Sequence, residues 1–435
     1  MSREVTTAPR SPDSGLMISV TFLLIIVPLV YSHFVFDSGL LPKFLGMMVG
    51  ALPVAACWAK MEFRGEAVRT GLLTDLPIFL YTLIVVLQWP RALDVHQASL
   101  EVVKVLTFVI IYMAITRCSV EAHWQLWATT FVLVTFVVSL VGIAQYFGLA
   151  FLSLPSSGLP SSTFVYRNTV AMFLITALPF SFLKFAQADV GRREIFWAFS
   201  WTTICTFLIY TRTRGAWVGC LGSLIVVLVL IGVRYRLTTL SPRRVLKVFR
   251  SRKAVVLFCS LVVLASVGTI DPSNVTTTGT QAIPIPEEKD SVRKALDSVV
   301  SSVVMPANTI SRGRVWWWRS TFEMITDHPW IGVGLTNWEK IYPNYKAKEL
   351  WAATNRFPRR PHNDYLWVWA ELGTLGFTAY LGMFTFLAYA AVSSARSLNL
   401  KSYGLVVAAL AGVVAIQGHS LFSFPKERVG PMLGE

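Results

Sequence analysis

The sequence predicts an all-α polytopic membrane protein of about 11–12 transmembrane helices with a large loop on the outer side, and three observations carry that prediction. Of its 435 residues, 54% are hydrophobic and only 14% charged, with a mean hydropathy of +0.56, where a soluble globule carries about a quarter charged. Apolar runs recur along the whole chain at the ~17–25-residue length that crosses a bilayer as a helix. The basic residues are bunched between particular runs, which orients those runs.

The polar stretch 1–15 carries Arg3 and Arg10, and the apolar run after it lacks a small-residue cleavage pattern, so it reads as a retained anchor. Eleven spans follow, near 16–36, 39–59, 72–90, 99–116, 124–148, 168–187, 194–211, 214–233, 254–270, 364–391 and 403–422. With a cytoplasmic N-terminus, the loops after the even-numbered spans carry Lys60, Arg64 and Arg69, then Arg117, then Lys184, Arg192 and Arg193, then 234–253, then Arg396 and Lys401. The segment 234–253, RYRLTTLSPRRVLKVFRSRK, holds eight basic residues and no acid, which fixes it on the cytoplasmic side. The formal charge of +15 would point to nucleic acid in a soluble protein. Here the excess is a topology determinant beside anionic headgroups, so the expected partner is the lipid bilayer and no nucleic acid. The cysteines Cys57, Cys118, Cys205, Cys220 and Cys259 lie in or beside apolar runs without a CxxC pair, which gives neither a disulfide framework nor a zinc site.

These assignments divide the chain into an N-terminal transmembrane bundle of about nine helices (1–270), an outer loop with amphipathic helices (271–363), and C-terminal transmembrane helices with a tail (364–435). The loop opens on the Thr/Pro-rich DPSNVTTTGTQAIPIPEEKD, to which the motifs assign no role. SRGRVWWWRSTFEMIT follows, with Arg314, Trp318, Phe322 and Ile325 on one helical face, the pattern of a Trp-rich amphipathic helix lying on the membrane surface.

Arginines on the outer side run against the positive-inside trend and need a reason. Arg212 and Arg214 occupy TRTRGAW, the short turn between the seventh and eighth spans, where a charge either snorkels to water or faces a polar cavity. Arg312 and Arg314, two positions apart on a helix, point about 200° from each other, so one of them faces a shared site, and Arg314 shares its face with Trp318. Arg167, in STFVYRNTV at the outer start of the sixth span, is a third candidate beside its interfacial reading. A guanidinium donates bidentately and stays charged when partly desolvated, and several converging forks suit a diphosphate.

His362 lies in RRPHNDYLWVWAELGTLGF, where the outer loop re-enters the membrane. A histidine at a helix start is often structural, yet Pro361 stiffens the approach, Asn363 and Asp364 are placed to cap the helix, and an imidazole at that depth is able to accept a hydroxyl proton. Glu371 falls on the face of Asp364 inside the membrane, where a hydrogen-bonded or Arg-paired buried carboxylate is the plain expectation. HExxH, Walker A and GxSxG are absent, so proteolysis, nucleotide hydrolysis and serine-esterase chemistry have no motif.

TRTRGAWVG, SRGRVWWWRSTFEMITDHPWIGVGLTNW, PHNDYLWVWAELGTLG and GHSLFSFP, with STFVYRNTVA, together resemble the O-antigen ligase family of bacterial membrane glycosyltransferases, whose superfamily also holds O-antigen polymerases and protein O-oligosaccharyltransferases. The resemblance implies a GT-C-like fold in the inner membrane with the active site in the periplasm. It implies transfer of a glycan from an undecaprenyl-diphosphate-linked donor to an acceptor hydroxyl, with no metal or cofactor and with inversion at the anomeric carbon. Carried over residue by residue, it assigns His362, Arg214 and Arg314 to catalysis; Arg212, Arg312, Arg167, Asn363 and Asp364 stand beside them as candidate contacts to diphosphate or acceptor. Lipid A–core is the first expected acceptor, with a growing polymer or a protein hydroxyl as alternatives. A lipid or polysaccharide transporter, the reading of another class, would show midplane charges or broken helices in paired halves. The sequence stops at VGPMLGE, where family members usually begin one more membrane helix, so a shortened form or an incomplete chain is expected.

With 234–253 cytoplasmic and 271–363 periplasmic, single cysteines at Ser241 and Thr278 should label oppositely with a membrane-impermeant thiol reagent. Equal external labelling would overturn the orientation.

Overall fold

Inside an apolar solvent every backbone N–H and C=O must find a partner within the protein, which makes the helix the default for each apolar run. The computed structural model describes residues 13–32, 34–35, 38–67, 72–149, 154, 160–237, 255–256, 259–260, 262, 309–345 and 358–423, without the side chains of 72–74, 237 and 309–313. The Thr/Pro-rich stretch, the basic segment beyond residue 237, most of the expected ninth span, the terminal VGPMLGE and the side chain of Arg312 lie outside the described residues.

Within them the chain forms twelve α-helices and no strand. In order these are α1 Ser14–Leu29, α2 Leu40–Phe63, α3 Leu72–Gln88, α4 Val95–Cys118, α5 Glu121–Tyr146, α6 Arg167–Gln187, α7 Arg192–Tyr210, α8 Arg214–Leu237, α9 Thr309–Asp327, α10 Trp338–Tyr345, α11 Asp364–Ser393 and α12 Leu400–Ser420. Seven of them, α2, α4, α5, α6, α8, α11 and α12, are long and apolar enough to cross a membrane. The protein is therefore an all-α polytopic membrane protein, and ten of the eleven expected spans fall on observed helices.

The first span ends earlier than hydropathy predicts, at Leu29 rather than near 36. Its last carbonyls are taken by a lysine instead of a further turn: Lys43 Nζ donates to the carbonyl oxygens of Val27 (3.3 Å), Pro28 (2.7 Å) and Val30 (2.8 Å), and Thr163 Oγ1 donates to Pro28 O at 2.6 Å. Helix α6 runs through the main core, where Val170, Leu174 and Ile175 meet Val138 of α5, Phe207 of α7, Ala216 of α8 and Ala415 of α12. Small residues let α8 and α12 approach backbone to backbone: a Cβ on Gly219 would lie 2.2 Å from Ala415 O, and one on Gly418 would lie 3.0 Å from Gly219 Cα.

Helix α11 is interrupted at Gly373 (φ 66°, ψ −173°). The segment that follows α9, within DHPWIGVG, enters the interruption and exchanges backbone hydrogen bonds with it. Val333 N donates to Ala370 O (2.8 Å) and Gly334 N to Glu371 O (3.0 Å), while Thr374 N donates to Pro329 O (2.8 Å) and Leu375 N to Trp330 O (3.4 Å). The amide of Gln88 and the guanidinium of Arg91 donate to Ile331 O at 2.6 and 3.2 Å, and Asn337 Nδ2 donates to Arg91 O at 2.9 Å. Glu371 is the hydrogen-bonded buried carboxylate expected of it: it is 1% exposed and its Oε1 accepts from Trp338 N at 3.3 Å.

Helix α9 lies against this assembly with Ile325 of the predicted face buried and Phe322 of that face exposed. Ser320, Thr321, Met324 and Ile325 are buried, whereas Phe322 is 52% exposed, because the helix packs on α10 and α11 through Trp338 and Trp367.

A Cβ on Gly332 would fall 2.4 Å from Glu371 O, and one on Gly373 would fall 2.3 Å from the Trp330 carbonyl carbon, both at positive φ. Gly332→Ala and Gly373→Ala should each cost at least about 2 kcal/mol, seen as a lower melting temperature in detergent. Gly232→Ala, whose Cβ meets nothing within 4 Å on α8, is the control that should match or exceed the parent. Parent-like melting of all three variants would show that the interruption does not depend on these glycines.

Candidate active site

Arg167, Arg212, Arg214 and His362 sit where a helix starts or where two helices are joined, and Arg314 lies within α9. Arg167 opens α6 behind an irregular loop, in which Ser162 (φ 52°) and Val165 (φ 64°) adopt left-handed backbone. That loop is held from three sides. Gln145 Oε1 accepts from Ser161 N and Ser162 N, both at 2.9 Å; Thr163 donates to Pro28; and Lys43 Nζ stands 4.3 Å from the centre of the Phe164 ring. Arg212 lies in the turn between α7 and α8 with φ 49°, and Thr213 Oγ1 donates to Asn168 Oδ1 at 3.4 Å, fastening that turn to the first turn of α6. Arg214 opens α8 and is exposed.

The structure brings Arg214 within electrostatic reach of Arg167 and Arg314, and Arg212 within reach of Arg167. Burial holds the Arg314 guanidinium below its ordinary pKa, and repulsion from Arg214 pushes it the same way. Among the described residues none of Arg167, Arg212, Arg214 and Arg314 is ion-paired with a carboxylate. The starts of α6 and α8 add their unpaired N–H groups and positive helix ends. Such a place attracts an anion of more than one charge.

His362 reaches the same assembly through α9. The Trp317 ring stacks on the imidazole at 5.4 Å and 25°, and Trp318 Nε1 donates to Pro361 O at 2.9 Å. Arg314 is one turn back from that pair on the same helix, so α9 both carries this arginine and anchors the segment of His362. His362 has left-handed backbone (φ 56°). Asn363 is the helix cap: its Oδ1 accepts from Tyr365 N and Leu366 N at 3.0 and 3.1 Å, and Asp364 beside it is 1% exposed.

Several supports are residues to which the motifs assign no role. Arg360, two residues before His362, is clamped by Glu339 Oε2 of α10 at 3.0 Å and lies 4.9 Å from the Trp367 ring. Lys43 is a buried cation in an apolar run, a rarity that itself marks a residue with a task. His419, within GHSLFSFP, is 1% exposed at the end of α12. Among the described residues no three His, Cys, Asp or Glu side chains gather into a metal-holding group.

The family model described as O-Antigen ligase matches residues 198–381, which is the family read from the motifs. The matched stretch runs from α7 into α11 and includes Arg212, Arg214, Arg314, His362 and the interrupted helix, while Arg167, Lys43 and His419 lie outside it. No curated protein matches the chain. The family match supports a glycosyltransferase-type membrane enzyme of the ligase and polymerase kind.

Arg214 repels Arg167 and Arg314, and Arg212 repels Arg167, a repulsion that a bound anion would relieve. Inorganic diphosphate should therefore raise the melting temperature of the detergent-solubilised protein, by about 2.7 kcal/mol of linked stability at a hundredfold excess over its Kd. Arg214→Ala, which removes the charge felt by both Arg167 and Arg314, should reduce the response. A parent protein indifferent to diphosphate would show that the cluster is not an anion site.

Proposed function

We propose that the protein transfers a glycan from an undecaprenyl-diphosphate carrier to an acceptor hydroxyl at the periplasmic face of the bacterial inner membrane, with ligation to lipid A–core as the first choice of acceptor. The observation that carries this reading is the joining, by one helix, of an arginine cluster to a histidine: α9 supplies Arg314 beside Arg214 and anchors His362 through Trp317 and Trp318. The match to the O-antigen ligase family over the same residues supports it.

In this reading Arg214 and Arg314 hold the diphosphate, with Arg167 and Arg212, and Arg312 where it reaches, adding positive field. The acceptor oxygen attacks the anomeric carbon from the side opposite the diphosphate. The new C–O bond forms as the bond to the diphosphate oxygen breaks, its electron pair leaves with the diphosphate, and the hydroxyl proton passes to the His362 imidazole. Attack from the opposite side inverts the anomeric centre. Preorganised donors at the leaving group contribute most where charge develops, so the reaction needs no metal or cofactor. Asn363 and Asp364 serve the site by fixing the helix start that presents His362.

A transporter would need its interrupted helix to line a path. Here the groups freed at Gly373 are bonded to 329–334.

Arg214→Lys and Arg314→Lys keep the charge and lose the fork, so transfer should fall while the protein still accumulates in the membrane. His362→Ala should lose about two to four decades in transfer rate with donor binding retained, and His362→Gln separates lost proton transfer from a damaged helix start. Loss of donor binding in His362→Ala would move the histidine into the phosphate site, and inhibition of the parent by a chelator would end the metal-free mechanism. Deleting the gene identifies the acceptor: a lost lipopolysaccharide ladder means ligation, shortened chains mean polymerisation, and a lighter glycoprotein means protein transfer.

A further inference from the structure

The end of α12 and the residues just after it meet α8, α11 and α9, although none of them lies in the matched family stretch. The imidazole of His419 rests on the first turn of α8: a Cβ built on Gly215, the residue after Arg214, would stand 2.7 Å from Nδ1 and 3.1 Å from Cε1. One turn along, Gly219 faces the backbone carbonyl of Ala415, so residues 215 and 219 are registered against 419 and 415. Gln417, two positions before the histidine, accepts from Tyr365 OH through its carbonyl oxygen and from Tyr380 OH through Oε1, both at 3.2 Å, which ties the turn to α11. Phe422, whose N–H donates to His419 O at 3.0 Å, lies 6.4 Å ring to ring from Trp318, the residue that anchors Pro361.

We infer that His419 is a positioning residue that acts through α8: its imidazole, seated on Gly215, sets the placement of Arg214, and the turn 417–422 holds that arginine in register with Arg314 and His362. A side chain pushed against a helix start moves the residue beside it first. Glycine at 215 is the condition for the contact, since any Cβ there would displace the ring. The inference rests on the proposed role of Arg214 in holding diphosphate and adds the element that aims it.

The test uses the full-length protein in nanodiscs, with inorganic diphosphate as the binding probe and a lipid-diphosphate-linked glycan as the transfer substrate. His419→Ala and Gly215→Ala should each weaken diphosphate binding about tenfold, with transfer falling in proportion at limiting donor and much less at saturating donor. The two changes disturb one contact, so the double variant should lose little more than either single one. His419→Gln, which keeps bulk and a polar head, should recover part of the binding. In the Arg214→Ala background His419→Ala should add almost nothing. Unchanged diphosphate affinity in folded His419→Ala and Gly215→Ala, or a full additional loss in the Arg214→Ala background, overturns the inference while leaving Arg214-dependent binding intact. A parent protein that binds no diphosphate overturns the reading of Arg214 and the inference with it.

Discussion

Everything at the site depends on a backbone exchange between a broken membrane helix and the segment that fills the break. An interrupted helix exposes N–H and C=O groups that hydrocarbon cannot satisfy, each at a cost of several kcal/mol. In this protein residues 329–334 satisfy them, with Val333 and Gly334 donating to one side of the break and Pro329 and Trp330 accepting from the other. Two glycines at positive φ make the approach possible, and Gln88, Arg91 and Asn337 bind the exchange to the junction of α3 and α4. The direction of α11, and hence the position of His362 at its start, follows from this joint.

Upon that rigid base sits a group of side chains that oppose folding. Arg167, Arg212, Arg214 and Arg314 gather around two helix starts, where the positive helix ends disfavour them further. Such an arrangement is tolerable because its neighbours are over-determined: Gln145, Thr163 and Lys43 hold the loop before Arg167, and Glu339 and Arg360 hold the approach to His362. The supports are tied to one another and to the backbone, while among the described residues the four guanidinium groups are ion-paired with no carboxylate.

Hydropathy made most of the membrane bundle legible, because a bilayer-length apolar run has few alternatives to a helix. It misplaced the end of α1, where the outcome turns on Lys43, a residue 13 positions beyond Val30 that no window centred on the helix weighs. The arginines and His362 were legible through charge out of place and through motifs. DHPWIGVG was readable as a signature but not as a joint, since its role is carried by backbone atoms that leave no side-chain pattern. On α9 the predicted face holds at Ile325 and fails at Phe322, because periodicity reports that a helix is amphipathic, whereas the partners Trp338 and Trp367 decide which stripe is covered. Lys43 and His419 show the same boundary: a polar residue in an apolar run announces a task, and the fold alone names its partner.

The left-handed backbone at His362 has a consequence for engineering. A non-glycine residue at φ 56° carries roughly 1–3 kcal/mol of local strain, and glycine or asparagine would sit there more comfortably. Thermostabilising designs that relax unfavourable dihedrals would therefore choose position 362 among their first substitutions. They would relieve the backbone at the expense of the imidazole and its stacking on Trp317, so any library built to harden this scaffold should hold that residue fixed and look for its gains in the helices far from the joint.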